Sequence, residues 1–306
     1  MYRHPSMRRA VTVHPSRRWP GPNKPGLHET RGGSPTSTDR PRRGPVGEQV
    51  IVRILGAHTL ESKTTRHTCF LVDGVLAIDA GGVTSALSLE EQAKISAILL
   101  THEHLDHCRD LPTLGLATLG SPHPIAVYGL PETLESVRAH LMDNRIYPDL
   151  TQMLNQAPAR YRLHSLKPGP ACPILHYRVK AIPASHPVPA VGYIIKAADG
   201  ACSAFTGDTG GSTLPYFTDE LGPQVLFVDV TFPNRLEGRA KASGHLTPAL
   251  LAEQLQQALG LRLKLPRIIP VHLGLPYRKE LAEELAVAGS QVGIDLTPGR
   301  EDMLAG

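Results

Sequence analysis

No stretch of this chain approaches the ~18 consecutive apolar residues of a membrane-spanning helix. Cysteine is sparse: Cys69, Cys108, Cys172 and Cys202 lie far apart, with no Cys-x-x-Cys pair. That spacing argues against a disulfide framework and for reduced thiols in a cytoplasmic protein. Cys108, directly after His107, is expected to be a small buried thiol rather than a reactive one. The chain also lacks a basic body. Its formal charge of +4 arises in residues 1–46, where ten Lys and Arg face only Glu29 and Asp39; the other 22 basic and 26 acidic residues give the body −4. Bulk charge therefore gives no argument for nucleic-acid binding. What is left is an ordinary globular composition, 41% hydrophobic and 20% charged over 306 residues.

Residues 1–46 are rich in Pro, Arg, Gly and Ser and carry almost no periodic apolar residues. Such a segment cannot bury enough surface to offset its ordering entropy, so a disordered tail is expected. It also lacks the apolar core of a secretory signal.

Residues 47–306 read as one domain. QVIVRILGAHT alternates and is β-branched, as a strand does, and CFLVDGVLAIDAGG reads as a hairpin turning at Asp73-Gly74. LSLEEQAKI is a helix. SAILLTHEHLDH begins as a buried strand, Ala97 to Thr101. PIAVYGL is a further strand. Pro131 opens a helix with Leu134, Val137 and Leu141 on one face. Strands follow at HYRVKAIPAS, AVGYIIKAA, ACSAFTGD and QVLFVDVTF. Thr247 caps a helix that has Pro248 in its first turn and Leu251, Leu255 and Leu259 along one stripe. RIIPVHL is a last long strand and PYRKELAEELAVAG a last helix.

The chemistry gathers at THEHLDHCRD (101–110), where His102, Glu103, His104, Asp106 and His107 crowd together directly after a strand. Side chains at i and i+2 share a face, so a turn there aims His102 and His104 at one point, while Asp106 and His107 face a second point nearby. Imidazole and carboxylate suit zinc, and also manganese or iron. Further candidate ligands stand at strand ends: His186 in PASHPVP, Asp208 in FTGDTG and His272 in IPVHLG, with Asp79 in AIDAGG. Glu103 points away from its histidine neighbours as a solvated or structural acid. His58 and His67, in the first loops, are candidates for lining the cleft mouth. His123, His140, His164 and His176 have no acidic partners in sequence and receive no role.

HEHLDH, followed in order by His186, Asp208 and His272, resembles the H-x-H-x-D-H signature and later motifs of the metallo-β-lactamase superfamily across residues 47–306. The resemblance implies an α/β fold, the αβ/βα sandwich of two sheets face to face with helices outside. It also implies two divalent metal ions: His102, His104 and His186 on one, Asp106, His107 and His272 on the other, Asp208 bridging. Asp79 is then the carboxylate that orients a ligand histidine from behind.

Finer features resemble one branch, the class II 3′,5′-cyclic-nucleotide phosphodiesterases. They are HEHLDH itself, GHLTP (244–248) before a helix, VDVTF, IPVHLGLPYRKEL, and VYGLPETLESVRAHLMDNRIYPDL (127–150), which carries Tyr147 where a Trp is expected. The resemblance implies that His245, with Asp229 behind it, donates the proton to the departing 3′ oxygen, since a His–Asp pair keeps imidazolium charged. Two ions suit the attacking and departing oxygens on phosphorus. Asn144, Arg145 and Tyr147 are candidate substrate contacts in a lid. The expected partner is thus a small cyclic nucleotide, cyclic AMP or cyclic GMP, with no nucleic acid and no membrane; a homodimer is one admissible assembly.

Three alternatives remain open. A tRNA 3′-end-processing endonuclease shares the His–acid pair and two-metal site. However, residues 108–185 hold only eight Lys and Arg against five acids and show no Gly- and Lys-rich arm. A lactone or thioester hydrolase would leave His245 surplus. A non-catalytic binding module would bury His and Asp at a cost with nothing to hold.

Overall fold

A computed structural model of the protein describes residues 50–153 and 158–306; the expected disordered tail lies outside them. The first sheet holds β1 (Val52–Gly56), β2 (Cys69–Val72), β3 (Leu76–Ile78), β4 (Ala97–Leu99), β5 (Ile125–Gly129) and β6 (Tyr161–Ser165). The second holds β7 (Cys172–Ile174), β8 (Tyr177–Pro183), β9 (Val191–Lys196), β10 (Cys202–Phe205), β11 (Val225–Asp229) and β12 (Arg267–Val271). A final short strand, β13 (Leu304–Ala305), returns to the first sheet, so the orders are β13-β1-β2-β3-β4-β5-β6 and β12-β11-β10-β9-β8-β7. The helices are α1 (Val83–Ala86), α2 (Leu89–Gln92), α3 (Leu105–Cys108), α4 (Leu111–Ala117), α5 (Pro131–Leu141), α6 (Leu214–Thr218), α7 (Glu237–Ser243), α8 (Pro248–Gly260) and α9 (Arg278–Val292).

The central strands β3, β4, β10 and β11 are buried at every residue because both of their faces are covered. In β4, Ala97 and Leu99 face the other sheet while Ile98 faces the helices; in β11, Val225 and Phe227 face inward while Leu226 and Val228 face out. This is the period-2 alternation of a pleated strand. Between the sheets, the Phe70 ring lies 4.9 Å from Phe205 and 5.0 Å from Phe227. Outside the first sheet, Leu111 and Leu114 of α4 and Leu134 and Val137 of α5 close one core; outside the second, Leu251 and Leu255 of α8 and Leu281 and Leu285 of α9 close another. The result is the αβ/βα sandwich.

Local signals behave as the residues dictate. Asp73 and Gly74 both take positive φ, 47° and 74°, the tight hairpin turn that Asp-Gly favours. Ser88 and Glu91 complete a capping box on α2. The Thr247 hydroxyl accepts from the Leu250 N–H at 3.3 Å, capping α8. Leu259 does not join the α8 stripe: it is 42% exposed, because Leu251, Leu255 and Ala258 form the packed face and Leu259 stands one step round. No described helix is long and apolar enough to cross a membrane.

Strands β3 to β6 run parallel, as do β10 to β12. Their carboxyl ends therefore open at one edge of the sandwich, where connecting loops carry side chains free of the ladder. Asp79 follows β3, Thr101 to His107 follow β4, Asp208 follows β10, Asp229 ends β11, and His272 follows β12.

Candidate metal centre

The turn after β4 lies directly against Gly81, where a Cβ would collide with the Asp106 carbonyl oxygen. Glycine is required there by close approach. Asp79 and His272 both adopt left-handed backbone, φ 60° and 56°. Non-glycine residues in that region cost of order 1–3 kcal/mol and concentrate at functional sites.

Two groups of potential ligand atoms result. His102, His104, His186 and Asp208 form one, and Asp106, His107 and His272 the other, with the atoms of each group lying within 4.8 Å of one another. His186 Nε2 is 3.2 Å from His104 Nδ1, and His102 Nε2 is 3.6 Å from Asp208 Oδ2. In the second group, His107 Nε2 is 3.3 Å from His272 Nε2, which is 3.4 Å from Asp106 Oδ2. Asp208 reaches across: its Oδ1 is 3.3 Å from His107 Nε2 and its Oδ2 3.3 Å from His272 Nε2. Ligands about 2.0–2.1 Å from a tetrahedral ion are roughly 3.3 Å from each other, so these spacings fit divalent metal.

The outer ring nitrogens support the same fit. His107 Nδ1 donates to Asp79 Oδ2 at 2.7 Å. Thr101 gives its hydroxyl proton to Asp79 at 2.9 Å and accepts from His102 Nδ1 at 3.0 Å. On the other sheet, His245 Nδ1 donates to Asp229 Oδ2 at 2.7 Å. Thr231 donates to Asp229 Oδ1 at 2.6 Å and accepts from His272 Nδ1 at 2.8 Å. Each buried carboxylate thus holds one imidazole directly and a second through a threonine hydroxyl. His186 Nδ1 donates to the Gly244 carbonyl at 3.1 Å. With Nδ1 carrying the proton in His102, His107, His186 and His272, the Nε2 lone pairs point inward as ligands require. His102 Nε2 is buried and has no hydrogen-bond partner, an acceptor waiting for a cation.

The electrostatics agree. Burial pushes the His102 imidazolium well below its ordinary value, and the neighbouring His107 adds to this. Burial also opposes charge on His107 and His272, but the surrounding carboxylates, Asp208 foremost, outweigh it: His107 rises well above its ordinary value and His272 to about 10. Burial raises Asp208, yet His107 and His272 pull it well below the usual carboxylate range. The pocket is built for concentrated positive charge.

His245 stands beside this cluster, its ring 5.3 Å from His272 and 5.2 Å from His186. It also falls within a further group with Asp208, Asp229 and His272. Its Nδ1 is committed to Asp229, whose oxygens also take Thr231 and the Thr209 N–H at 3.0 Å. Asp229 is thus engaged by the His245 ring, the Thr231 hydroxyl and the Thr209 N–H together. Burial lowers the His245 pKa, but Asp229, by charge and hydrogen bond, raises it above its ordinary value.

The structure brings Asp79, His102, His104, Asp106, His107, His186, Asp208, Asp229, His245 and His272 to one place. It does not join Asn144, Arg145 or Tyr147 to that place by any hydrogen bond or ring contact among the described residues. Asn144 accepts the Asp149 N–H at 2.9 Å, its own N–H goes to the Tyr147 carbonyl, and Arg145 is anchored through its N–H to Asp143. Glu103 is structural: it accepts from Thr133 Oγ1 at 3.4 Å, tying the start of α5 to the ligand turn. His58 is buried against Glu301 at 2.8 Å, while half-buried His67 lies against Gly81 with Asp106 in electrostatic range. Cys108 is buried, and burial pushes its thiol up to about 12. Thr101 and Thr231 carry no signal in sequence, since a threonine at a strand end is ordinary.

A family model described as a beta-lactamase superfamily domain matches residues 68–273. Ribonuclease Z of Pyrococcus abyssi is 31% identical over 109 residues, 35% of this chain and 32% of that protein, so the matched part spans about a third of that relative's length. Among solved structures, yeast PDE1 superposes with a TM-score of 0.69 at 17% identity, over 84% of this chain and 99% of that one. The short form of human tRNase Z superposes with a TM-score of 0.60 at 21% identity, over 84% and 98%. At those identities the two likenesses are of fold.

Proposed function

The chain belongs to the metallo-beta-lactamase superfamily as a hydrolase of that fold, and from that premise we propose that it is a two-metal phosphodiesterase that opens 3′,5′-cyclic nucleotides to nucleoside 5′-monophosphates. The observation that carries the phosphodiester part of this proposal is the Asp229–His245 pair, 2.7 Å apart and one ring from the ligand cluster; the choice of a small cyclic substrate over RNA rests on the acidic body of the chain. Thioester hydrolysis expels a stabilised thiolate and has no need of an oriented imidazolium. Expulsion of a sugar alkoxide from phosphorus does, because that oxygen is a poor leaving group until it is protonated.

Divalent ions, when bound, would activate the attacking water and offset charge on the phosphoryl oxygens. His102, His104, His186, Asp106, His107, His272 and Asp208 would hold them; the donor set suits zinc, manganese or iron. Asp79 and Thr101 fix His107 and His102 so that Nε2 faces inward. Asp229 accepts the His245 Nδ1 proton and stabilises the imidazolium, leaving Nε2–H to protonate the departing 3′ oxygen. Gly244, left-handed at φ 70°, ends α7 and aims its carbonyl at His186. The same turn therefore sets a metal-ligand ring and the acid.

A second activity, tRNA 3′-end processing, is favoured by the identity to ribonuclease Z. Against it stand the −4 charge of the body and the compact 143–149 turn, which leads off the helix tied to the ligand turn through Thr133 and Glu103. Product analysis with metal-loaded protein separates the two. Conversion of cyclic AMP or cyclic GMP to 5′-monophosphate supports the first, whereas cleavage of precursor tRNA with cyclic nucleotides left intact supports the second.

A further inference from the structure

Two arginine-on-aromatic pairs stand beside His245. Phe232 packs edge-on to the His245 ring at 5.8 Å, and the Arg239 guanidinium lies over Phe232 at 5.3 Å. Tyr277 adjoins Phe232 at 6.3 Å and carries Arg235 at 5.5 Å. The two arginines differ in charge balance. Arg235 is held by both oxygens of Glu280, at 2.8 and 3.2 Å. Arg239 is exposed and has no carboxylate within 4.0 Å among the described residues. It is an uncompensated guanidinium one ring from His245.

We propose that Phe232 and Arg239 form the subsite for the base of the cyclic nucleotide, and that Arg239 makes the enzyme favour guanine over adenine. This rests on the cyclic-nucleotide assignment above. A guanidinium beside a ring presents a planar fork of donors. Guanine offers that fork two acceptors, O6 and N7, whereas adenine offers one acceptor and a donor that repels it. Phe232 adds an apolar ring against which a base packs regardless of identity. A polynucleotide backbone is disfavoured as the occupant: it calls for several uncompensated cations in line, and here the second arginine is neutralised by Glu280.

The test is steady-state hydrolysis of cyclic GMP and cyclic AMP by the metal-loaded full chain, its Arg239→Ala variant and its Arg239→Lys variant. Wild type should favour cyclic GMP in kcat/KM. Arg239→Ala should lower the cyclic GMP to cyclic AMP ratio about tenfold, chiefly through KM, and Arg239→Lys, which keeps charge but loses the fork, should not restore it. A ratio unchanged by Arg239→Ala, or equal loss on both substrates, overturns the proposal. Calorimetric titration with 5′-GMP and 5′-AMP gives a readout that stands even if neither cyclic nucleotide is hydrolysed. Tighter GMP binding that is lost in Arg239→Ala supports the subsite while the catalytic assignment fails; equal affinities overturn the subsite itself. If instead Arg239→Ala weakens RNA binding with a marked change in salt dependence and no base preference, the group serves a polynucleotide backbone and the proposal is wrong.

Discussion

Replacing His245 by alanine tests the proton-donor role, and the structure sets what should follow. The side chain is 12% exposed and borders the ligand cluster without lying in either metal group with Asp106 or His104. Its loss leaves Asp229 with the Thr231 hydroxyl at 2.6 Å and the Thr209 N–H at 3.0 Å, so the buried carboxylate keeps two donors. Folding and metal content should therefore survive. Positioned general acids contribute typically about 10²–10⁴-fold, which is roughly 3–5.5 kcal/mol of barrier. His245→Ala should lower kcat on a cyclic nucleotide by about that factor. Bis(p-nitrophenyl) phosphate expels a stabilised phenolate that needs no proton, so its loss should be below about tenfold. The assay is parallel steady-state kinetics on both substrates, with metal content measured on the same preparation. Equal losses on the two substrates at equal metal content would refute the acid role.

Thr231→Val keeps the shape but removes the hydroxyl that links His272 to Asp229. Affinity for one of the two ions should fall about 10–100-fold, read by chelator competition, and unaltered affinity would mean that the link is idle. Gly81→Ala should cost about 1–3 kcal/mol by overpacking against the Asp106 carbonyl; a urea midpoint equal to wild type would contradict the close approach. Burial pushes the Glu301 carboxyl up, but His58 and the Arg66 N–H outweigh burial and hold it below its ordinary value. A carboxyl depressed by folding stabilises fully above its unfolded value, about 4.3, and loses that contribution as pH falls through the folded value. Glu301→Gln should therefore lower Tm at neutral pH and close the gap to wild type in acid; parallel Tm curves would contradict the pairing.

The ligand turn was legible because His102, His104, Asp106 and His107 are contiguous and directly follow a strand. The distant ligands His186, Asp208 and His272 were legible only as histidines and acids at strand ends, in an order that the family resemblance supplied. Threonines 101 and 231 were hidden because their role exists only once Asp79 and Asp229 are folded beneath them. The edge strands β6 and β7 escaped notice because YRLHS and CPI expose alternate or most residues and carry no continuous apolar signal. Phe232 and Arg239, seven residues apart, were unremarkable in sequence; the fold sets the Arg239 guanidinium 5.3 Å from the Phe232 ring. Asn144, Arg145 and Tyr147 are candidate substrate contacts by sequence; in the structure Asn144 and the Arg145 backbone hold the 143–149 turn.

The most direct test of the central claim is chromatographic product analysis after metal-loaded protein is incubated with cyclic AMP and cyclic GMP. The account predicts stoichiometric nucleoside 5′-monophosphate, abolished by chelator and restored by added divalent metal. Both cyclic nucleotides recovered intact from a preparation carrying two ions per chain would contradict it.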